Sequence, residues 1–384
     1  MSRNSNVAIL DIGSQKVTVF IGSRGVNNIP SIKGVGEASY YGFSDGEFFD
    51  LDNLRETVNK ALAIAASNTG MRFKRIYVGV PGEFTTVVCK ECSTAFDKKH
   101  RINDEDLDEL FIRNNAFKTN DYVTINHSAI YYKLDDGRRL MEPRGMNSTR
   151  LKALISYVLC ERKFVNTFDD ILTDQHIKEI EYVPSVWAEA MYLFEAEQRD
   201  KSVLLLDVGH ITSSLVLVRG DGLLHLATFS MGGGHIAGDI STCMEIPYTQ
   251  AEAVKQYINL SLNPDEDDVY KIYGESETLA FKASTVNEIT KERVKLIGEM
   301  VNKCINRCEY ECPTYLPLYL TGGGLCYMRG AKEILARTIG RPVEIIAPPI
   351  PQLNKPHLAS TLGLLDVAIK YTESSKGFFK KFFG

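Results

Sequence analysis

Two segments of the chain share one pattern of apolar and polar residues. Residues 6–22 read NVAILDIGSQKVTVFIG, and residues 202–218 read SVLLLDVGHITSSLVLV. Each pattern predicts a buried strand, a turn that begins with Asp-x-Gly, and a second strand. The two aspartates, Asp11 and Asp207, lie 196 positions apart, about half of the 384 residues. A repeat at that spacing predicts two similar domains whose aspartate-bearing turns face a shared cleft.

Hydrophobic periodicity also predicts the other elements. Apolar residues at every third or fourth position predict an amphipathic helix over 51–69 that ends at Gly70. We expect further strands near 31–40 and over 74–80, 316–321 and 342–347. We expect further helices over 164–178, from 183 to about 196, over most of 250–310, from the glycines at 322–324 to about 338, and over 358–371.

Residues 83–163 interrupt this pattern. They predict short strands, a helix near 104–114, and a loop rich in Gly, Pro and Asn at 135–149. We interpret them as a subdomain inserted into the first domain.

The two Asp-x-Gly turns are candidate phosphate sites. Glycine lets backbone N–H groups approach phosphate oxygens closely. Two carboxylates that face each other across a cleft need a cation, so Asp11 and Asp207 are candidates to hold Mg²⁺ through water. A single Asp-x-Gly is equally typical of a plain hairpin, but the pair favours a nucleotide site. The candidate residues are Asp11, Gly13, Ser14, Gln15 and Lys16 in one turn, and Asp207, Gly209, His210 and Thr212 in the other.

Two further glycine clusters follow predicted strands. Gly232, Gly233 and Gly234 open a helical stretch, which suits either a phosphate at a helix N-terminus or a flexible turn. Gly322, Gly323 and Gly324 would let a purine and its ribose lie against the backbone. Between the clusters, Glu252 and Lys255 share a helix face, either to hold ribose hydroxyls or as an ordinary ion pair.

Composition excludes several classes of protein. The chain is 44% hydrophobic and 24% charged, typical of a globular protein of two or three domains. Its net charge of −5 provides no field for nucleic acid, which we do not expect as a partner. No apolar run predicts a membrane span or a signal peptide, so we expect a cytoplasmic location. The eight cysteines, including Cys89 and Cys92 and the group Cys304, Cys308 and Cys312, do not complete a zinc motif and are expected to be free thiols.

Taken together and in this order, the motifs resemble the FtsA branch of the actin/Hsp70/hexokinase ATPase superfamily. DIGSQKV resembles its first phosphate motif, GGGHIAGDI followed by IPYTQAEAVK resembles its GGxHITNDI…AExIK segment, and LTGGG with HLASTLGLL resembles its adenosine motif and final helix. The resemblance covers nearly the whole chain. It implies an α/β actin-like fold, a duplicated ribonuclease H-like pair of domains with an FtsA-type 1C insertion, that binds ATP and Mg²⁺ between the domains.

The resemblance also implies subdomain bounds and partners. We expect self-assembly into filaments, contact with other division proteins, and tethering of FtsZ to the cytoplasmic face of the membrane at the division site. The C-terminal peptide of FtsZ would dock on subdomain 2B. The expected bounds are 1A at 1–82 and 164–200 with a closing helix at 358–372, 1C at 83–163, 2A at 201–240 and 311–357, 2B at 241–310, and a tail at 373–384.

The second phosphate motif departs from the family pattern DxGGGTxD. His210 and Ile211 replace glycines, where their side chains are expected to obstruct a positive-φ turn. Ser214 replaces the second acid, and Glu189 stands where the family tends to have a small serine. We therefore expect ATP binding with weak or absent hydrolysis, and we name no catalytic base.

The C-terminus predicts a membrane contact. As a helix, Phe378, Phe379, Phe382 and Phe383 would form one face flanked by Lys376, Lys380 and Lys381. Such a helix of about 16 Å is too short to span a bilayer and suits its interface, where anionic lipid attracts lysine. FtsA-like proteins carry a terminal anchor of this kind. The alternative is a tail packed on its own domain.

Three other functions remain open at this point. A small-metabolite kinase of the same superfamily would need an aspartate base in the cleft. An actin-like pilus-assembly protein would share the 1C insertion. A divergent FtsA paralogue that binds no nucleotide would keep only a scaffold role.

Overall fold

The computed structural model describes residues 6–374 except 45, 72–73, 115–116, 118 and 274–277. The strands in this part of the chain are β1 Val7–Ile12, β2 Lys16–Arg24, β3 Pro30–Ser39, β4 Phe43–Ser44, β5 Glu47–Phe48, β6 Arg75–Val80, β7 Thr85–Arg101, β8 Tyr122–Leu134, β9 Arg139–Leu140, β10 Asn147–Glu161, β11 Glu179–Pro184, β12 Val203–Val208, β13 Ser213–Arg219, β14 Gly222–Phe229, β15 Val269–Tyr273, β16 Thr278–Lys282, β17 Leu318–Thr321 and β18 Val343–Ile345. The helices are α1 Leu51–Thr69, α2 Asp104–Asn114, α3 Arg162–Asp174, α4 Ser185–Leu193, α5 Ala196–Asp200, α6 Gly233–Met244, α7 Tyr248–Lys255, α8 Ala283–Asn306, α9 Ala331–Ile339 and α10 Ala359–Ser374.

Two five-stranded sheets have the same strand order. One runs β3-β2-β1-β6-β11 and the other β14-β13-β12-β17-β18. In each, three antiparallel strands are followed by two that pair in parallel. Asp11 pairs with Thr18 in the first hairpin, and Asp207 pairs with Ser214 in the second. The predicted duplication is therefore confirmed, and the two aspartates occupy equivalent positions in the register of the two hairpins.

Close backbone contact holds α1 on the first sheet. The helix begins after Asp50, whose side chain accepts a hydrogen bond from the backbone of Asn53, and it ends at Gly70 with a φ of 64°. Its buried face is the predicted one, with Leu54 and Val58 fully enclosed. A Cβ on Gly36 of β3 would lie 2.0 Å from the backbone oxygen of Ala61, so only glycine allows this approach.

The inserted region forms a sheet of its own, in the order β7-β10-β8-β9. Our prediction of short strands was wrong, because β7, β8 and β10 contain 17, 13 and 15 residues. Charged residues on the outer face of β7 obscured its length in the sequence. The predicted helix is confirmed as α2, whereas the predicted loop at 135–149 contains β9 and the start of β10.

Four other expectations need correction. The helix expected over 164–178 ends at Asp174, and the strand β11 follows it before α4. The stretch 250–310 is not largely helical, because the hairpin β15-β16 precedes α8. α9 begins at Ala331 and not directly after the glycines. The spacing of Cys304, Cys308 and Cys312 predicts that they share one face of a helix, but α8 ends at Asn306 and the last two lie beyond it. The cysteines are free thiols as expected.

The described residues bear on a membrane-spanning helix but not on the predicted C-terminal anchor. No helix within the described ranges is long and apolar enough to cross a membrane. The predicted membrane residues Lys376 to Phe383 lie outside the described residues.

The approach of α1 to β3 generates a stability prediction. Gly36→Ala should lower the free energy of unfolding by about 3 kcal/mol or more, because the added methyl group meets backbone that must move. Urea unfolding measures this. Gly238→Ala in α6 is the matched control, since its Cβ would meet nothing within 4 Å, and it should be neutral or stabilise by up to about 1 kcal/mol. Equal midpoints for the two variants would contradict the packing account.

Candidate functional site

The two Asp-x-Gly turns are built alike and touch each other. The backbone N–H of Gly13 donates to the Lys16 carbonyl at 3.0 Å, and that of Gly209 donates to the Thr212 carbonyl at 2.9 Å. Across the cleft, the backbone N–H of Ile211 donates to Ser14 Oγ at 3.0 Å. The duplicated turns therefore face each other as the sequence predicts.

A cleft of about 530 Å³ lies between the two domains, within the usual range for a small-molecule site. Gly232 and Gly234 are not among its lining residues. The other candidates all line it, namely Asp11, Gly13, Ser14, Gln15, Lys16, Asp207, Gly209, His210, Thr212, Gly233, Glu252, Lys255, Gly322, Gly323 and Gly324.

The first glycine cluster joins α6 to the second turn. The backbone N–H of Gly233 donates to the Gly209 carbonyl at 2.9 Å, and that of Gly234 donates to the His210 carbonyl at 2.7 Å. The N–H of Gly232 donates to His235 Nδ1. Because these donors are used within the protein, the expected phosphate site at this helix N-terminus is not formed by them.

Glu252 and Lys255 form the expected pair on α7. Lys255 Nζ lies 2.6 Å from Glu252 Oε1 and donates to the Gly233 carbonyl at 3.0 Å. The second carboxylate oxygen, Glu252 Oε2, is buried and has no hydrogen-bond partner in the described part of the chain. An acceptor of this kind at the wall of a cleft suits a hydroxyl donor such as a ribose.

The glycines at 322–324 pack against the second aspartate. Gly322 has a φ of +87°, and a Cβ there would lie 2.1 Å from Asp207 Oδ1. The backbone N–H of Gly324 donates to the Val208 carbonyl at 2.7 Å. Glycine is thus required at 322 so that the backbone can adopt this conformation beside a carboxylate.

Four carboxylates meet in the cleft, and two of them, Glu83 and Glu189, were not among the predicted site residues. Burial raises the pKa of all four. For Asp207, burial and then the charges of Asp11 and Glu83 raise the pKa to about 7. For Glu189, burial and then the charges of Asp207 and Asp11 raise the pKa well above its usual value.

Neutral hydrogen-bond donors stabilise the negative charge of only some of these carboxylates. Ser360 and Thr361, at the start of α10, donate to Asp11 at 3.0 and 2.5 Å. Glu189 Oε2 is buried without a partner. Within the described residues, no Lys, Arg or His forms an ion pair with any of the four carboxylates, and no three metal-ligating side chains converge on one point. The donor set therefore fits a hydrated cation carried with a ligand, and not one held by protein ligands alone.

The second turn accommodates His210 and Ile211 without strain. The expected obstruction was wrong, because the non-glycine residues with positive φ in the described chain are Asn27, His176, Ser202 and Glu245. The His210 ring packs on Gly234, where a Cβ would approach Nε2 to 2.6 Å. The same nitrogen lies 3.2 Å from Tyr248 Oη. The histidine thus has a defined place in the wall of the cleft.

Sequence reasoning also missed the residues that hold the first turn. Tyr40 is buried, its hydroxyl donates to the Gly13 carbonyl at 2.7 Å, and its N–H donates to the Gln15 carbonyl at 2.9 Å. Lys16 is tied to Glu37 at 2.9 Å by a half-exposed ion pair. No local motif in the sequence marks Tyr40 or Glu37 as a neighbour of the turn.

The raised acid pKa values predict a pH dependence of stability. Asp207 ionises near pH 7 in the folded chain, against an ordinary value of 3.8. The folded state then binds more protons than the unfolded state, so the free energy of unfolding falls as pH rises. The contribution is fully present below the ordinary pKa and is lost as pH rises through about 7.

Urea unfolding without nucleotide at about pH 5 and about pH 8 measures this difference. Asp207→Asn should make the pH dependence shallower and should stabilise the protein at the higher pH. An unchanged pH dependence in this variant would contradict the assignment to Asp207.

Comparison with known proteins supports one family. A family model described as "Cell division protein FtsA" matches residues 204–363. FtsA from Buchnera aphidicola subsp. Baizongia pistaciae is 21% identical over 399 residues, which cover 97% of this chain and 94% of that protein.

Solved structures support the fold. The "PilM-PilN type IV pilus biogenesis complex" superposes with a TM-score of 0.64 at 16% identity, covering 95% of this chain and 99% of that one. MreB5 of Spiroplasma citri bound to AMPPNP superposes with a TM-score of 0.58 at 11% identity, covering 98% and 99%. The chain therefore has the actin-like α/β fold that the sequence predicts. In sequence it is similar to FtsA proteins over most of its length.

Proposed function

We propose that this protein binds ATP with Mg²⁺ in the interdomain cleft, self-assembles, and tethers FtsZ to the cytoplasmic face of the membrane at the division site. The observation that carries the nucleotide site is the meeting of two matched aspartate turns with four carboxylates, none of which forms an ion pair with a cationic side chain of the described residues. MreB5, a structural neighbour, has been solved with AMPPNP bound.

Each part of the nucleotide has a candidate environment. The turns at 13–16 and 209–212 would hold the phosphates. Asp11 and Asp207 would hold Mg²⁺ through its water ligands, and the ion would offset their mutual repulsion. The glycines at 322–324 would lie against the adenosine, and Glu252 with Lys255 would contact the ribose.

We propose that nucleotide acts as a conformational switch with weak or absent turnover. Ser14 and Ile211 already bond across the cleft, so a ligand held by both turns would favour the closed arrangement of the domains. Ser214 offers no carboxylate, and the buried Glu189 lies among other acids with its pKa raised. No residue of this cleft is therefore assigned as a catalytic base.

The proposed subdomains follow the sheets. The first and second sheets with their helices form 1A and 2A, the inserted sheet is 1C, and 241–310 is 2B. We place the FtsZ peptide on 2B, where several large apolar side chains are exposed, as at a protein interface. They are Tyr248, Tyr257, Leu262, Val269, Tyr273 and Leu296.

The nucleotide site predicts opposite effects of one substitution. Asp207→Ala should weaken Mg-ATP binding by about tenfold or more, about 1.4 kcal/mol, because a contact to the hydrated ion is lost. The same variant should be more stable than wild type without nucleotide, because it removes a repelling charge. Calorimetric titration and urea unfolding measure the two effects.

Asp200→Ala, which removes an exposed carboxylate outside the cleft, is the matched control and should change neither quantity. No binding of Mg-ATP by wild type would overturn the switch and leave the scaffold paralogue. ATP turnover stimulated by a sugar would instead favour a small-metabolite kinase.

The tethering role predicts flotation with vesicles. Wild type should float with phosphatidylglycerol vesicles and carry FtsZ with it. Replacing Phe378, Phe379, Phe382 and Phe383 by serine should abolish flotation of both proteins, because each buried Phe contributes about 1.5–3 kcal/mol. Unchanged Mg-ATP binding controls for folding of the variant. Flotation of the variant at the wild-type level would contradict the anchor.

A further inference from the structure

A second cavity, a groove of about 930 Å³, lies outside the nucleotide cleft. One wall is formed by the inserted region, with Phe111 from α2 and residues 124–129 of β8. The other wall comes from the first domain, with Trp187 and Met191 of α4 and the start of α5 at Ala196. The groove thus separates the inserted sheet from the helices that cover the first sheet.

The lining combines apolar surface with an acidic excess. Phe111, Met191 and Tyr371 are partly exposed there, whereas Trp187 is held by a hydrogen bond from Nε1 to the Asp221 carbonyl at 2.9 Å. Five acidic and three basic side chains line the groove, an excess of two negative charges. A ligand with aromatic groups and positive charge would complement it.

The groove also contains a polar group without a partner. Tyr192 lines it, and the Tyr192 hydroxyl is buried with no hydrogen-bond partner among the residues that the structure describes. Buried hydroxyl groups are normally paired, so the group favours a polar partner supplied from outside the described residues. A peptide backbone would provide one.

The last turns of the C-terminal helix line this groove. Val367, Lys370 and Tyr371 of α10 line it, and α10 ends at Ser374. The ten residues that follow read SKGFFKKFFG, with four phenylalanines, three lysines and no acid. Extended, ten residues reach about 33 Å, whereas the rise from Val367 to Ser374 is only about 10 Å. The segment is therefore long enough to turn back along α10.

We propose that residues 375–384 dock in this groove of their own chain, with phenylalanines on its apolar lining and lysines near its acidic rim. Covalent attachment directly beside the groove gives the segment a high effective concentration there. The regulatory consequence rests on the proposed membrane role, because a docked segment cannot insert its phenylalanines into lipid. The groove would thus compete with the membrane for the same side chains.

Site-directed photocrosslinking tests the docking in the full-length chain. With p-benzoylphenylalanine in place of Phe382 and no lipid present, irradiation should link position 382 to residues of 107–132 or 187–199 in the same chain. Ala196→Arg, which places a bulky charge in the groove, should lower the yield by about tenfold, equal to about 1.4 kcal/mol. Glu197→Arg is the matched control, since this neighbouring side chain is exposed and does not line the groove, and it should retain the yield.

Three results would overturn the proposal. They are the absence of crosslinks to the groove, links only between chains in a mixture of isotopically light and heavy protein, and equal losses in the two arginine variants. The two proposals fail separately. Groove crosslinks without vesicle flotation would support docking and contradict the membrane role. Flotation without groove crosslinks would support the membrane role and contradict docking. If both hold, phosphatidylglycerol vesicles should reduce the crosslink.

Discussion

Repulsion among four carboxylates is the constraint around which the cleft is organised. Asp11 and Asp207 arrive there because the same strand order places each of them at the end of a central strand. Glu83 and Glu189 come from segments that leave the first sheet. The folded chain concentrates negative charge where burial makes it costly. Its described part supplies neutral donors and the more distant charge of Lys16 at Asp11, but no direct ion pair to any of the four carboxylates. Protonation or an entering cation would each relieve this repulsion.

The fold was predictable where a local pattern carries the information. The two hairpins and α1 follow from apolar spacing, a cap at Asp50 and a glycine at 70. The length of strand β7 was not predictable, because its charged outer face masks the alternation that a half-buried strand shows. β11 was not predicted either. It has acidic residues at 179 and 181, and its strand character comes from pairing with β6, which the sequence does not display.

The residues of the candidate site also fall into two groups: those that a local motif marks and those that only the fold brings together. The turns and Lys255 could be found from motifs, because their residues are consecutive or lie one helical turn apart. Glu83, Ser360 and Thr361 could not, since the fold brings them to Asp11 and Asp207 from distant segments. The role of a backbone donor is also hidden in the sequence. Gly233 and Gly234 resemble a phosphate loop, yet their N–H groups are used to fix the second turn.

One helix connects the two surfaces on which the proposals depend. α10 begins with Ser360 and Thr361 on Asp11 in the cleft, and its last turns, with Lys370 and Tyr371, line the groove. A helix of 16 residues is about 24 Å long, so one element reaches both sites. A ligand that bound at Asp11 would therefore contact the same helix that lines the groove. Contact at both sites is one requirement for energetic coupling, and α10 meets it; the other requirement is a second arrangement of the helix that the two ligands favour unequally.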